Sequence, residues 1–357
     1  MDDSINQPPP ELTPVVRRKN YSSVGIIFTV IGLALFAYFI WKADVATVWA
    51  GIRRLGYGAA WIMAISAVRT ILRAWAWKLC SEKPWELRLI DAWRGYVVGD
   101  ALGTLTPLGM FASEPAKAAV VRDRVPLAIA LSSLAVENIF YSLTAALFVL
   151  SGIGTLLITY HLPRTLRYFS IGTVIFVVSL IVILLLMVYR EWRIVSRAAS
   201  IIAKWGIARD FLTSKNEKLR AWEDRVYGFY DRHRARFIPV LALNFGFHLM
   251  GVAEIYATLY YISDVPPSLL TAFFLESANR VITVGFKFVP FRAGVDEAGT
   301  GMLTKVLLRD LSGGVTLAVI RKARGLIWML IGLIVWFVRG LTIRENAVEE
   351  EAEKMKG

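Results

Sequence analysis

The sequence predicts an all-α polytopic membrane protein, with about six full spans plus two re-entrant hairpins arranged as an inverted repeat. Three observations predict it. Hydrophobic residues fill 56% of 357 positions, and the mean hydropathy of +0.52 is too high for a water-soluble domain of this length. Eight hydrophobic segments recur, most of them near the ~20 residues that a helix needs to cross a bilayer core. An offset of 183 residues also lays Pro107–Glu114 (PLGMFASE) on Pro290–Glu297 (PFRAGVDE), and Leu134, Ala135 and Val136 on Leu317, Ala318 and Val319. Duplication inside a membrane protein points to a transporter with its site where the repeats meet.

Residues 1–20 form a polar head containing PPPELTP and Arg17, Arg18 and Lys19, expected on the cytoplasmic side. The apolar run behind it is long enough to be retained, so no cleavable signal peptide is expected. The first half, 21–189, holds the spans Val24–Trp41, Ala59–Trp77, Val125–Leu150 and Ser170–Tyr189. Seven of the twelve Trp lie between Trp41 and Trp93, as interfacial belts require.

A fifth segment in this half, Ala92–Ala112, is the weakest span. It carries Arg94, Asp100, glycines 95, 99 and 103, and a break at Pro107 and Gly109. The glycines form a small-xxx-small ridge suited to close helix packing. Residues 190–236 contain twelve Lys/Arg and are expected to be cytoplasmic by the positive-inside bias. An even number of spans must then separate them from the head, so Ala92–Ala112 reads as a re-entrant hairpin. An arrangement of eight full spans is the alternative, and it would put the cation-rich segment outside.

Within 190–236, Leu219, Trp222, Val226 and Phe229 share one helical face while Arg220, Arg225 and Arg232 lie elsewhere. A basic amphipathic hairpin of this kind serves to fix orientation, or to capture anionic lipid along the inner leaflet; the first role is the simpler. The second half, 237–340, begins with the span Phe237–Ile262. Ser268–Pro290 follows as partner of the first hairpin, broken at Pro290 and Gly294, and Gly313–Val338 returns inward. Three spans between the two Pro-x6-Glu motifs make the copies inverted. Residues 341–357 read as a disordered acidic tail. Both termini are expected in the cytoplasm, with the protein integral to the cytoplasmic (inner) membrane.

Composition excludes several classes. The net charge of +13 sits at helix ends and in loops, which suits anionic lipid headgroups rather than nucleic acid. One cysteine, Cys80, forms no intrachain disulfide, and His161, His233 and His248 have no metal-ligand spacing. No metal or other cofactor is expected. No Walker-type loop accompanies the spans. Neither a paired-Asp motif nor a Ser/His/Asp set supports catalysis, so an enzyme is not expected.

Charges inside apolar segments carry the functional expectation, since each costs roughly 2.5–3.5 kcal/mol at mid-bilayer unless partnered. Arg69 and Arg73 lie one turn apart in the second span. Glu137 and Asn138 lie mid-way along Val125–Leu150, Glu254 in Phe237–Ile262, and Arg321, Lys322 and Arg324 in the last span. The repeat sets Glu137 at a depth equivalent to that basic cluster. Glu276 and Arg280 are spaced i,i+4 in the favourable order and read as mainly self-neutralising. Glu114 and Glu297 follow the breaks. They either stabilise helix N-termini or act as gates and ion acceptors at the two mouths of a cavity.

The run GDALGTLTPLGMFASEPAKAAVV, then LAVEN, then VPFRAGVDEAG resembles the flippase-like transmembrane family typified by the membrane domain of lysylphosphatidylglycerol synthase. The family's second motif is closer to PGGxGxxE; Phe291, Arg292 and Ala293 stand here instead. The resemblance implies movement of an aminoacylated or other polar-headed lipid between leaflets. With no aminoacyl-transferase domain in this sequence, it implies a stand-alone member. Its implied partners are membrane lipids, whether anionic, aminoacylated or lipid-linked, with a homo-oligomer or a biosynthetic enzyme as further companions.

The resulting expectation is a lipid translocator. Arg69, Arg73, Arg321 and Lys322 hold a headgroup phosphate, with Arg280, Arg324 and Asn138 around it. Glu137 and Glu254 balance charge or bind an amino headgroup, and Glu114 and Glu297 respond to opening. An integral-membrane lipid transferase, or a scaffold for a lipid or glycan biosynthesis enzyme, is the alternative.

Overall fold

The computed structural model describes residues 49, 53–105, 109–190, 192–193, 196–198, 200–201, 209–263, 267–286 and 294–354. The polar head, the span Val24–Trp41, Pro107 and Pro290 lie outside the described residues. The main helices are α1 (Gly58–Cys80), α2 (Leu89–Leu105), α3 (Gly109–Val120), α4 (Leu127–Thr159), α5 (Arg164–Tyr189) and α6 (Arg209–Tyr227). They continue as α7 (Phe229–Arg232), α8 (Arg234–Ile262), α9 (Leu269–Gly285), α10 (Val295–Leu308) and α11 (Leu311–Lys354). The fold is all-α, as the hydropathy pattern requires.

Four of these helices are long and apolar enough to cross a membrane among the described residues: α1, α4, α5 and α8. α5 makes the membrane reading concrete. It exposes Phe169, Ile175, Phe176, Val182 and Leu185 on its surface, an apolar area that water would not tolerate but lipid would. Compared with the sequence expectation, α4 runs nine residues further, to Thr159. α11 runs past Val338 to Lys354, through residues expected to be a disordered tail. Residues 339–354 carry five Glu and two Ala, and both are strong helix formers.

Each weak segment belongs to a helix pair that runs past its expected end. Ala92–Ala112 holds most of α2 and only the start of α3, and Ser268–Pro290 holds α9 alone, with its partner α10 beyond Pro290. α2 and α3 turn back on each other, so that Gly95 faces the Lys117 carbonyl, Gly99 faces Ser113, and Gly103 faces Ser113 and Gly109. A Cβ on Gly99 would lie 2.8 Å from the Ser113 carbonyl oxygen, and one on Gly95 2.9 Å from the Trp77 ring. The glycine ridge is therefore the contact surface of an antiparallel hairpin, as its spacing predicts. At 17 and 12 residues, α2 and α3 are about 25 and 18 Å long, short of the ~30 Å hydrocarbon core.

α9 and α10 form the second pair, with Ile282 packed against Gly299. Ser268 caps α9, its hydroxyl accepting from the Thr271 N–H at 3.0 Å. Gly294 stands immediately before α10 at φ +82°, a conformation that glycine adopts without the steric cost of a side chain. It fills that role although Phe291, Arg292 and Ala293 replace the glycines of the usual motif.

α1 and α8 occupy corresponding places in the two halves, each ahead of its hairpin, and they run antiparallel in direct contact. Gly58 lies against Tyr261 and Leu72 against Gly246. At the far end Arg236 Nη1 donates to the carbonyls of Leu79 at 3.0 Å and Ser81 at 2.7 Å. Residue numbers fall along α8 as they rise along α1. That is the relation an inverted pair of repeats requires.

The apolar face predicted for α6 packs on the protein. Val226, Phe229 and Trp222 join Phe140, Val240 and Cys80 in one buried cluster, while Arg220 stays exposed.

Candidate functional site: a buried charge network between the halves

α1 supplies the centre of the site. Its arginines, one turn apart, are buried (Arg69) and largely buried (Arg73), and they point to different halves. Arg73 meets Glu137 of α4, with Nε 2.7 Å from Oε1 and Nη2 2.8 Å from Oε2. Glu137 is fully buried, and Tyr96 of α2 donates its hydroxyl to Oε2 at 2.5 Å. Asn138 accepts from Arg73 at 3.4 Å, and the Arg73 guanidinium lies 3.7 Å above the Tyr141 ring. Carboxylate, hydroxyl, amide and aromatic face thus surround one guanidinium, the geometry that suits a planar cation.

Arg69 turns the other way. Nη1 donates to Glu254 of α8 at 2.7 Å and Nη2 to Glu276 of α9 at 3.3 Å. Glu276 also takes Arg280 Nη2 at 2.6 Å and Asn279 Nδ2 at 3.2 Å. The i,i+4 pair is therefore real but not closed on itself, because Glu276 bridges Arg280 to Arg69. Glu254 holds Arg324 of α11 through its second oxygen. Tyr141 joins the two sides: its hydroxyl accepts from Arg280 at 3.4 Å while its ring carries Arg73. Beside it, His248 is buried and stacks on Tyr141 and Phe148 at centroid distances of 5.5 and 5.1 Å.

Seven of the sequence-derived candidates therefore converge: Arg69, Arg73, Glu137, Asn138, Glu254, Arg280 and Arg324. In this network four guanidiniums meet three carboxylates. Ions buried this deeply are costly unless opposite charges and hydrogen bonds surround them. Each guanidinium here has such partners, and the cations outnumber the anions by one.

Other candidates sit apart. Lys322 pairs with Glu297 at the start of α10, and Arg321 Nη2 donates to Thr300 Oγ1 at 2.5 Å. Glu297 also accepts from the Gly294 N–H at 2.9 Å, so it does cap its helix. Glu114 does not. It lies in the second turn of α3, beyond the reach of the helix-end dipole, and its Oε1 is 3.1 Å from Lys117 Nζ. Glu137, which the repeat sets at a depth equivalent to the basic cluster of the last span, has Arg73 as its partner. Gly109 opens α3 and faces Gly103 of α2.

Tyr96, Tyr141 and Lys117 were not predicted as site residues. Lys117 is buried, lies 3.2 Å from Asp100, and places its ammonium 4.2 Å over the Tyr96 ring. It therefore couples the first hairpin to the Arg73–Glu137 pair. A lysine in the last turn of a short apolar helix was the available signal. The two tyrosines carried none beyond being hydroxyls inside apolar segments.

No curated protein and no solved structure matches the chain. The model of the family described as "Lysylphosphatidylglycerol synthase TM region" matches residues 25–334, a range that takes in both hairpins and every charged residue of the network. On that match, the chain belongs to the lysylphosphatidylglycerol synthase TM region family, and it is an integral membrane protein.

Proposed function

We propose that the protein is a lipid translocator, moving a polar- or phosphate-headed lipid between leaflets through the interface of the two halves. The observation that carries this reading is the buried network, in which α1 contributes one arginine to each half. A headgroup phosphate can replace a carboxylate on a guanidinium with the same two-pronged geometry, so each Arg–Glu pair doubles as an occupied phosphate position. The excess guanidinium favours admitting an anion, and Glu137 and Glu254 are the groups that would be released to meet an amino headgroup. Arg321 and Lys322 lie at the second hairpin, as a further basic station along the path.

The hairpins are the moving parts of this scheme. Each is built on short helices and carries one lysine–carboxylate pair between helices, Lys117–Asp100 in the first half and Lys322–Glu297 in the second. Glu114 braces Lys117 from within α3, so opening at one face breaks one of these cross-helix pairs. Membership of a family named for lysylphosphatidylglycerol synthase supports a lipid as cargo. The cation-rich segment 190–236 supports placement in the cytoplasmic membrane with both termini inside.

The test is reconstitution of the pure protein in liposomes carrying a fluorescent phospholipid, with leaflet exposure read by quenching from outside. Arg321→Gln is expected to stay folded and lose exchange. Exchange at the unmodified rate in that variant would count against the proposed path.

A further inference from the structure

A groove of about 500 Å³ separates α4 from α6 on the side of the first hairpin. That volume falls within the roughly 300–1,000 Å³ of small-molecule sites. Leu131 and Ala135 of α4 form one wall, Leu219 and Trp222 of α6 the other, with Glu114 and Asn138 as the polar members of the lining.

Both polar residues have a stake in the occupant. Glu114 Oε1 is held by Lys117, but Oε2 is buried and accepts no hydrogen bond. A buried carboxylate oxygen without a donor costs free energy that a ligand hydroxyl or ammonium would recover. Asn138 accepts from Arg73, so the polar end of the groove adjoins the charge network. The outer wall belongs to an amphipathic helix whose Arg220 is exposed, where an anionic membrane surface would lie.

We propose that this groove holds one acyl chain of a membrane lipid whose headgroup presents a hydrogen-bond donor, hydroxyl or ammonium, to Glu114 Oε2. The inference rests on the translocator reading and names its waiting position: the chain lies between α4 and α6 while the head rests one residue away from Arg73. It also gives Glu114 a role as selector of donor-bearing heads.

The experiment uses the full chain in micelles with three phospholipids, each carrying a diazirine near the end of one acyl chain. One has a glycerol head, one a primary-amine head and one a choline head, which has no donor. Photolabelled residues are located by mass spectrometry. The expected result is labelling within 128–138 and 219–222. The donor-bearing probes should exceed choline by about tenfold, the equivalent of one hydrogen bond to a charged group. Which of the two donor heads labels more strongly identifies the headgroup chemistry. Glu114→Leu should abolish the preference while chain labelling persists. Ala135→Trp fills the groove from one wall and Leu219→Trp from the other, and either folded variant should remove the labelling.

Labelling elsewhere, or labelling indifferent to head and to both fillings, overturns the proposal. Leaflet exchange measured on the same preparations separates the two readings. Exchange without groove labelling overturns the site alone; groove labelling without exchange overturns the translocator reading and leaves the site.

Discussion

Arg69 and Arg73 stand one turn apart on α1, yet they bind carboxylates of opposite halves: Glu254 at 2.7 Å and Glu137 at 2.7 Å. One helix therefore carries the electrostatic contact between the repeats. In the proposed translocation, a lipid head binding either arginine would weaken the hold on one half and so couple occupancy to rearrangement without a separate transmitting element.

The first prediction concerns the buried pair on the first-half side. Arg73→Gln or Glu137→Gln alone leaves an uncompensated ion and should cost about 3–5 kcal/mol. The double variant should lose less than the sum, because no lone charge remains. Thermal unfolding of the four proteins in detergent checks this, and strict additivity would mean that the two residues do not interact.

Tyr96→Phe removes the hydroxyl that donates to Glu137 while keeping the ring beneath Lys117. The expected loss is about 1.5–3 kcal/mol, the range for a hydrogen bond to a charged group, with slower lipid exchange. An unchanged melting temperature would show that Glu137 is satisfied by Arg73 alone.

Gly99 is the tightest test of the first hairpin. A Cβ there meets the Ser113 carbonyl oxygen at 2.8 Å, so Gly99→Val should separate α2 from α3 and displace Lys117 from Asp100. Lower stability and loss of exchange are expected, while Gly154→Val, where a Cβ has nothing within 4 Å, should be tolerated. Comparable behaviour of the two variants in size-exclusion profiles and melting would contradict the close-packed hairpin.

The inverted arrangement predicts opposite sidedness for the bases of the two hairpins. In a Cys80→Ser background, Arg122→Cys and Ser312→Cys place thiols at exposed positions beside α3 and α11. An impermeant thiol reagent applied to whole cells should label position 312 and not 122, with both labelled after permeabilisation. Equal labelling from outside would put both hairpins on one face.

Much of the fold was legible because it depends on local signals. Helix-length apolar runs gave α1, α4, α5 and α8, and glycines four residues apart ahead of Pro107 marked a packed hairpin. The tail of α11 was misjudged because low hydropathy suggested disorder while Glu and Ala favour helix. The site was legible only in its membership. Which charge meets which depends on contacts across 185 residues for Arg69 and Glu254 or 64 for Arg73 and Glu137, and repeat alignment alone named no partner for Glu137. The clearest sequence clue, an ion inside an apolar segment, also passed over Tyr96 and Tyr141, which carry no charge.

The central claim is that the interface between the halves conducts a lipid head past the α1 arginines. Its most direct test is leaflet exchange of a fluorescent, phosphate-headed lipid in liposomes, comparing unmodified protein with the paired variant Arg73→Gln/Glu137→Gln. Removing both partners spares the structure a lone buried charge. Exchange well above protein-free liposomes, lost in the paired variant while its melting temperature holds, is the predicted result. Exchange by the unmodified protein no faster than in protein-free liposomes, or equally fast in the paired variant, would contradict it.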